Sequence, residues 1–363
     1  MLKTFKLLRW LQRKSSASSL DSSRRKSTVV VSHSDSIFDN LALEDWLYEN
    51  IDYAPDDRTV LFWRNRPCVV IGKFQNQWME CNSSVMKAKS IPLARRKSGG
   101  GAVYHDMGNI NVSFITHREK HSRRDNLEFI CDSLMFRWPH LDLSFNSRHD
   151  ILLNGKYKVS GTAARMTRTK AYHHCTLLVD SDTELLHSCL HSPIKGKIES
   201  NASQSLSSPV TMLSNQDHPL NSEQVMHALA DDYQSRCSLT CQDTQVTHVE
   251  IRDICDRCYP GIEEIKGELT SWQWVYGRTP KFSLNQSIEG DTTLNLSVEG
   301  GKICDITVKS HYPDYTTDNI RTLIGLPFCP VTVPFVISQD KTLSNDIVCS
   351  HLVKLFKDLT AVS

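Results

Sequence analysis

The spacing of apolar positions predicts most of the regular elements in this chain. Ser36 precedes a segment in which Leu43, Trp46 and Leu47 fall at i, i+3 and i+4, which predicts a capped helix over 37–50. Strand-like runs follow at 59–63, 68–72, 101–104, 110–116 and 171–179. The run 151–160 is divided by Asn154-Gly155, the signature of a hairpin with a two-residue type I′ turn. Helices are predicted over 126–137 and 222–236, the second opened by Asn221 with Gln224 three residues on. Residues 192–216 are rich in Ser, Asn, Pro and Gly, lack periodicity and read as a polar loop. From 247 to the end, strands near 292–298 and 302–309 around Gly300-Gly301, and a helix near 341–360, suggest a smaller unit. Strands with irregularly placed helices predict an α+β mixed sheet, not a βαβ alternation.

Composition narrows the setting. At 363 residues the chain is long enough for two domains. Its 42 basic and 41 acidic residues nearly cancel, which gives no sign of bulk nucleic-acid binding. No apolar run reaches the length of a membrane-spanning helix, so no membrane partner is expected. Residues 1–27 are different: eight Lys and Arg face the single acid Asp21, serines crowd the second half, and Leu2, Phe5, Leu7, Leu8, Trp10 and Leu11 supply an apolar side. That pattern predicts a mitochondrial transit peptide and a matrix address. In that compartment the 12 cysteines are expected to be mostly thiols.

Three segments carry candidate chemistry. Arg95-Arg96-Lys97-Ser98-Gly99-Gly100-Gly101-Ala102-Val103-Tyr104-His105 runs a basic cluster into glycines and then a strand. Glycines let backbone approach a ligand closely, and N–H groups with adjacent cations suit a phosphate. The spacing fits neither a P-loop nor a dinucleotide fingerprint. Lys158 lies on the return strand of the hairpin, beside the small residues Ser160-Gly161-Thr162-Ala163, as a mobile cation able to touch a carbonyl and a phosphate together. In Tyr172-His173-His174-Cys175-Thr176, strand alternation puts Tyr172, His174 and Thr176 on one face and His173 and Cys175 on the other. Adjacent strand histidines do not share one metal ion, and no metal site is expected there. Cys237-x3-Cys241 with Cys255-x2-Cys258 has a zinc-ribbon-like spacing, but it falls in a stretch between domains.

Taken in order, these segments resemble the lipoate-protein ligase and lipoyltransferase family. Further matches are Trp63-Arg64-Asn65, Val69-Val70-Ile71-Gly72, Gln75-Asn76, Trp78, Glu80-Cys81-Asn82, and the late run Trp272-Gln273-Trp274 with Tyr276 to Phe282, so the likeness spans about 30 to 285. Cys175 stands where bacterial ligases usually carry Gly, which favours the mitochondrial lipoyltransferase branch.

The resemblance implies a biotin/lipoate ligase-like fold, related to class II aminoacyl-tRNA synthetase catalytic domains. It implies a catalytic domain at 28–246 and an accessory domain at 247–363, with no zinc at the cysteines. It further implies lipoyl-AMP as substrate, with ATP and Mg²⁺ only if the chain also activates free lipoate. The expected acceptors are lipoyl domains of 2-oxoacid dehydrogenase acyltransferase subunits, and the glycine-cleavage H protein is an alternative donor. Lys158 takes the catalytic position. Arg96 meets the anionic side of the ligand, and Gly99, Gly100, Gly101, Ala102, Val103 and Tyr104 form the wall. Arg148, Thr176, Leu206 and Ser208 contact the nucleotide, and His174 bounds the pocket. Trp63 and Val103 line the lipoyl tunnel. Alternatives are an ATP-dependent ligase, an octanoyltransferase using Cys175 as nucleophile, and a non-catalytic lipoyl-domain binder.

One geometric conflict follows. An ideal two-residue hairpin pairs Lys158 with Ile151 and turns Arg148 and Asp150 to the opposite face. Convergence on one ligand therefore predicts an irregularity near 148–150.

Overall fold

The computed structural model of the chain describes residues 25–240, 244–288, 291–311, 319–329 and 332–358. In chain order the first elements are β1 (Arg25–Ser32), α1 (Ile37–Asn50), β2 (Arg58–Trp63), β3 (Cys68–Ile71), α2 (Gln77–Glu80), α3 (Ser83–Ala88), β4 (Leu93–Arg95), β5 (Val103–His105) and β6 (Asn109–His117). Next come α4 (Arg123–Arg137), β7 (Leu143–Phe145), β8 (Ile151–Leu153), β9 (Tyr157–Ser160), β10 (Thr162–Met166), β11 (Lys170–Leu178), α5 (Thr183–Cys189), β12 (Ile198–Ser200), α6 (Ser222–Thr240) and β13 (Thr244–Ile251). The remainder is α7 (Ile262–Thr270), α8 (Trp272–Val275), β14 (Phe282–Ser287), β15 (Thr293–Glu299), β16 (Lys302–Lys309), α9 (Thr332–Gln339), α10 (Lys341–Ser344) and α11 (Ile347–Asp358).

A six-stranded mixed sheet ordered β10-β11-β6-β2-β1-β13 is the frame, with β1 parallel to both neighbours and the other pairs antiparallel. Its strands are apolar on both faces because helices cover both. Val30, Leu61, Ile115 and Tyr172 pack with α1, α7 and α8, whereas Val29, Val31, Phe62, Val112 and Leu177 pack with α4 and α6. Smaller sheets β4-β3-β5 and β7-β8-β9 carry Val103, Tyr104 and Lys158. A separate sheet, β12-β14-β15-β16, packs on α9 to α11. The α+β mixed-sheet expectation holds.

Local signals explain the element ends. Ser36 Oγ accepts from Asp39 N at 3.3 Å, and Asn221 Oδ1 accepts from Gln224 N at 3.1 Å, so both predicted caps form. Gly300 and Gly301 have φ of 58° and 73° and turn β15 into β16. The helix expected near 341–360 is present as α11, preceded within that range by the short α10, and α9 comes before both.

Domain limits differ from those expected. The transit-peptide reading falls mostly on residues 1–24, outside the described residues, but Arg25, Lys26 and Ser27 begin β1 inside the main sheet. The expected boundary at 246/247 cuts β13, which pairs with β1, and Ile262, Leu269, Trp274 and Val275 belong to the main core. Conversely, β12, within the stretch expected to be loop, pairs with β14 of the smaller sheet.

Arg95 ties these parts together. It is fully buried and donates to the carbonyls of Gly72, Lys73, Gln75 and Val275 and to Gln77 Oε1 and Thr279 Oγ1 at 2.8–3.2 Å. Trp274 Nε1 donates back to the Arg95 carbonyl at 2.7 Å. Burial lowers this guanidinium to about 10, which still leaves it charged at neutral pH. Arg95→Met strands several buried acceptors, so we expect a loss of at least about 3 kcal/mol in chemical denaturation, and a change under about 1 kcal/mol would contradict this account.

Candidate active site

The sheet register sets the site's long axis. Trp63 on β2 is opposite Asn111 on β6, and Asn111 is opposite Thr176 on β11, so the three point to the same face. Thr176 Oγ1 accepts from Gly161 N at 3.0 Å, and the Lys158 amine lies over Gly161. From indole to amine this row crosses three strand spacings, roughly 14 Å. A cavity of about 360 Å³ follows it, with Leu41, Trp63, Val70 and Val103 as apolar lining and Arg148, Asp150 and Lys158 as charged lining.

Lys158 Nζ pairs with Asp150 Oδ1 at 2.8 Å, and Arg148 Nη2 bonds Asp150 Oδ2 at 2.9 Å and Ser208 Oγ at 3.0 Å. Burial would raise the Asp150 carboxyl, but hydrogen bonds from Lys158 and Asn146 and the charges of Lys158 and Arg148 outweigh it and hold the group below its ordinary value. The convergence has an identifiable origin. Asn154 and Gly155 have φ of 54° and 64°, as a type I′ turn requires, but the ladder resumes at Leu153 opposite Tyr157. Lys158 therefore faces Leu152 rather than Ile151, and one residue of slip exchanges faces. The irregularity lies between Ile151 and Leu152, just beyond 148–150, while His149 takes φ of 65°.

The segment 203–211 is a loop that crosses the site and is held there by hydrogen bonds. Lys158 N donates to Pro209 O at 2.8 Å, and Thr211 N donates to Lys158 O at 3.0 Å. Ser205 Oγ accepts from Ala102 N at 2.8 Å and from Gln75 Nε2 at 3.1 Å, and Ser205 N donates to Glu80 Oε1 at 3.2 Å. Leu206 is exposed at the cavity edge and Ser208 sits on Arg148. Ser205, Gln75 and Glu80 were missing from the expected site. Only Gln75 and Glu80 had a signal, as members of the family-like runs.

Arg96 and Tyr104 are placed differently from expectation. The Arg96 guanidinium is turned into the glycine segment: Nε and Nη2 bond Gly99 O, Nη2 bonds Gly101 O, and Nη1 bonds Val70 O, at 2.6–3.2 Å. Its N–H groups are taken up by the loop's own carbonyls, and the residue also lines the cavity. Gly100 has φ of 85°, and a Cβ on Gly72 would stand 2.2 Å from Gly100 O, so Gly72 is also required for the loop to seat. Val103 and His105 line the cavity, whereas alternation sends Tyr104 into a small core with Val69, Ile71 and Leu178. Tyr104 is therefore a core residue rather than part of the cavity lining. Gly100, Gly101, Ala102, His174 and Thr176 line the cavity, and Gly99 lies in the adjoining glycine segment.

Geometry bears on both cysteine readings. Cys175 Sγ points to Val112 O at 3.8 Å in the core, and burial pushes its thiol up to about 12, which does not suit a nucleophile. Cys237 lies on α6 near Tyr233 and Arg236, apart from Cys255 and Cys258, and Cys241 lies outside the described residues. Asp253, Cys255 and Cys258 do have ligand atoms within 4.8 Å of one another, but Asp253 is engaged by Arg257 at 2.8 Å.

His105 was not anticipated. Its Nδ1 is 2.9 Å from Asn65 Nδ2, itself held by Asn40, and its Nε2 has no partner among the described residues. Burial, then the charges of Arg96 and His174, lowers this imidazole to about 3.

Residues 36–234 match the model of the lipoyl protein ligase A/B catalytic domain. The mitochondrial lipoyl amidotransferase of Homo sapiens is 39% identical over 347 residues, covering 89% of this chain and 90% of that one. A lipoate-protein ligase A of Bdellovibrio bacteriovorus is 31% identical over 294 residues, covering 79% and 84%. A crystal structure of P. falciparum LipL1 with lipoate superposes with a TM-score of 0.57 at 24% identity, covering 90% of this chain and 99% of that one.

Because His105 is held neutral, the unfolded chain binds more protons than the folded one between the free imidazole value of about 6.5 and about 3. Stability is full above that window and is lost as pH falls through it. His105→Gln should flatten the fall in unfolding free energy over this range, and an unchanged slope would contradict the assignment.

Proposed function

The chain belongs to the lipoyl protein ligase A/B catalytic family, and from that premise we propose how its cavity performs lipoyl transfer to protein. The reading is carried by one observation: an apolar cavity lined by Trp63 and Val103 continues into the Lys158, Arg148 and Ser208 cluster. That sequence of surfaces suits an acyl chain joined to an anionic nucleotide. The acyl donor is lipoyl-AMP, with its alkyl chain and dithiolane along Trp63 and Val103 and its nucleotide at Arg148, Thr176, Leu206 and Ser208. The acceptor is a lysine of lipoyl domains in 2-oxoacid dehydrogenase acyltransferase subunits, and the glycine-cleavage H protein is a second source of the lipoyl group. The working compartment is the mitochondrial matrix.

In the transfer step the acceptor amine attacks the acyl carbonyl. A carbon–nitrogen bond forms, the carbon–oxygen bond to AMP breaks, AMP leaves with its phosphate charge, and the amine proton passes to solvent. An activated donor needs no protein nucleophile, so catalysis comes from positioning and from stabilising charge. Lys158, paired with Asp150 in the free protein, moves its amine onto the carbonyl oxygen and phosphate as charge builds there. The glycine segment and Ala102 supply the wall, and the 203–211 segment limits water.

The test mixes the chain with an unmodified lipoyl domain and follows intact mass. Lipoyl-AMP should add one lipoyl group, and Lys158→Ala should cut the rate by roughly 10²–10³-fold with acceptor binding preserved. Cys175→Ser should transfer as well as wild type. Absence of product from lipoyl-AMP would contradict the proposal, and product from lipoate with ATP and Mg²⁺ would make the chain a ligase as well.

A further inference from the structure

The polar groups buried beside the cavity form a chain of hydrogen bonds with a definite direction. Arg96 Nε donates to Ser98 Oγ at 3.0 Å, and Ser98 Oγ lies 2.9 Å from His174 Nε2. His174 Nδ1 lies 2.9 Å from Glu44 Oε1. From the other side Trp63 Nε1 donates to Ser113 Oγ at 3.1 Å, and Ser113 Oγ donates to the same Glu44 oxygen at 2.5 Å. A guanidinium and an indole can only donate, and an ionised carboxylate can only accept, so Glu44 accepts a hydrogen bond from His174 Nδ1 and another from Ser113 Oγ. With the imidazole proton on Nδ1, facing the carboxylate, Nε2 is the acceptor and Ser98 donates to it. Glu44 and Ser98 are each 1% exposed, so water does not substitute for these bonds.

The register explains why one carboxylate reaches both branches. His174 on β11 stands opposite Ser113 on β6, and α1 lays Glu44 against the pair.

We propose that Glu44, His174 and Ser98 are a positioning relay for the transfer reaction. The Glu44 carboxylate holds His174 as the Nδ1–H tautomer, His174 orients Ser98, and Ser98 fixes Arg96 Nε. The other guanidinium N–H groups then hold Val70, Gly99 and Gly101. Through Ser113 the same carboxylate steadies the Trp63 indole, so one buried group sets both the glycine segment and the apolar lining. The inference rests on the cavity being the acyl-adenylate site. The order Ser-His-Glu is also that of a nucleophilic triad, but Ser98 Oγ is enclosed and already accepts from Arg96. It therefore carries no acyl group.

The test uses the full chain labelled with ¹⁵N-histidine, with the His174 resonances identified by their loss in His174→Asn. Wild type should show Nδ1 protonated and Nε2 bare. Glu44→Gln keeps the shape but places an amide where a carboxylate accepted two bonds. The His174 proton should then move to Nε2, and kcat/KM with lipoyl-AMP should fall at least roughly tenfold at an unchanged thermal midpoint. An Nε2–H tautomer in wild type, Glu44→Gln activity within about twofold of wild type, or a lipoyl adduct on Ser98 in the enzyme's mass would each overturn the relay. Should Glu44→Gln not fold, Ser98→Ala carries the activity arm and the wild-type spectrum decides the direction. If wild type transfers nothing from lipoyl-AMP while the tautomer still responds to Glu44→Gln, the functional reading fails and the relay stands.

Discussion

The Arg96 guanidinium is buried against the glycine segment it precedes, and the geometry of the site depends on where that cation is held. Arg96 has no direct carboxylate partner among the described residues, and such a buried cation is costly unless its N–H groups are satisfied. Here they are satisfied by backbone carbonyls of Val70, Gly99 and Gly101 and by Ser98. The same bonds draw the glycines into one conformation and close them onto Gly72. Arg95 does comparable work one residue earlier, where it clamps the carbonyls after β3 to Val275 and Thr279. Two adjacent arginines thus serve opposite sides of the backbone, one facing the cavity wall and one the join to the late Trp-Gln-Trp segment.

Much of this was legible in the residues. Asn154-Gly155 announced the hairpin, Ser36 and Asn221 announced helix starts, and strand alternation put His174 and Thr176 on one face. The grouping of Lys158, Arg148 and Ser208 was implied by the family resemblance as a whole, not by the motif runs that contain only Lys158. Register was the weak point: a slip of one residue past the turn reversed which side chains faced Lys158. A basic triplet before glycines reads equally well as an anion cradle or as scaffolding, and only burial distinguishes them. Tyr104 belongs to the same run as the cavity-lining Val103, but strand alternation turns its side chain into the core.

The boundaries were hidden for a related reason. Residues 25–27 continue the basic, serine-rich composition of what precedes them, yet they begin a strand whose Val29–Val31 core is buried on both faces. β13 has Thr, Gln and His among its residues and resembles loop until it is paired with β1. Both are cases where tertiary pairing overrides local composition. Glu44 carried no local signal at all, since its meaning comes from His174, 130 residues away.

The central claim is that the acyl chain lies toward Trp63 and the nucleotide toward Lys158 and Arg148. A crystal structure with a non-hydrolysable lipoyl-adenylate analogue tests it most directly. The account predicts the dithiolane beside Trp63 and Val103, the phosphate or its replacement within hydrogen-bond distance of Lys158 Nζ, and Arg96 still bonded to Gly99 and Gly101. An analogue bound in the reverse direction, or an Arg96 that leaves the glycines to bind its anion, would contradict it.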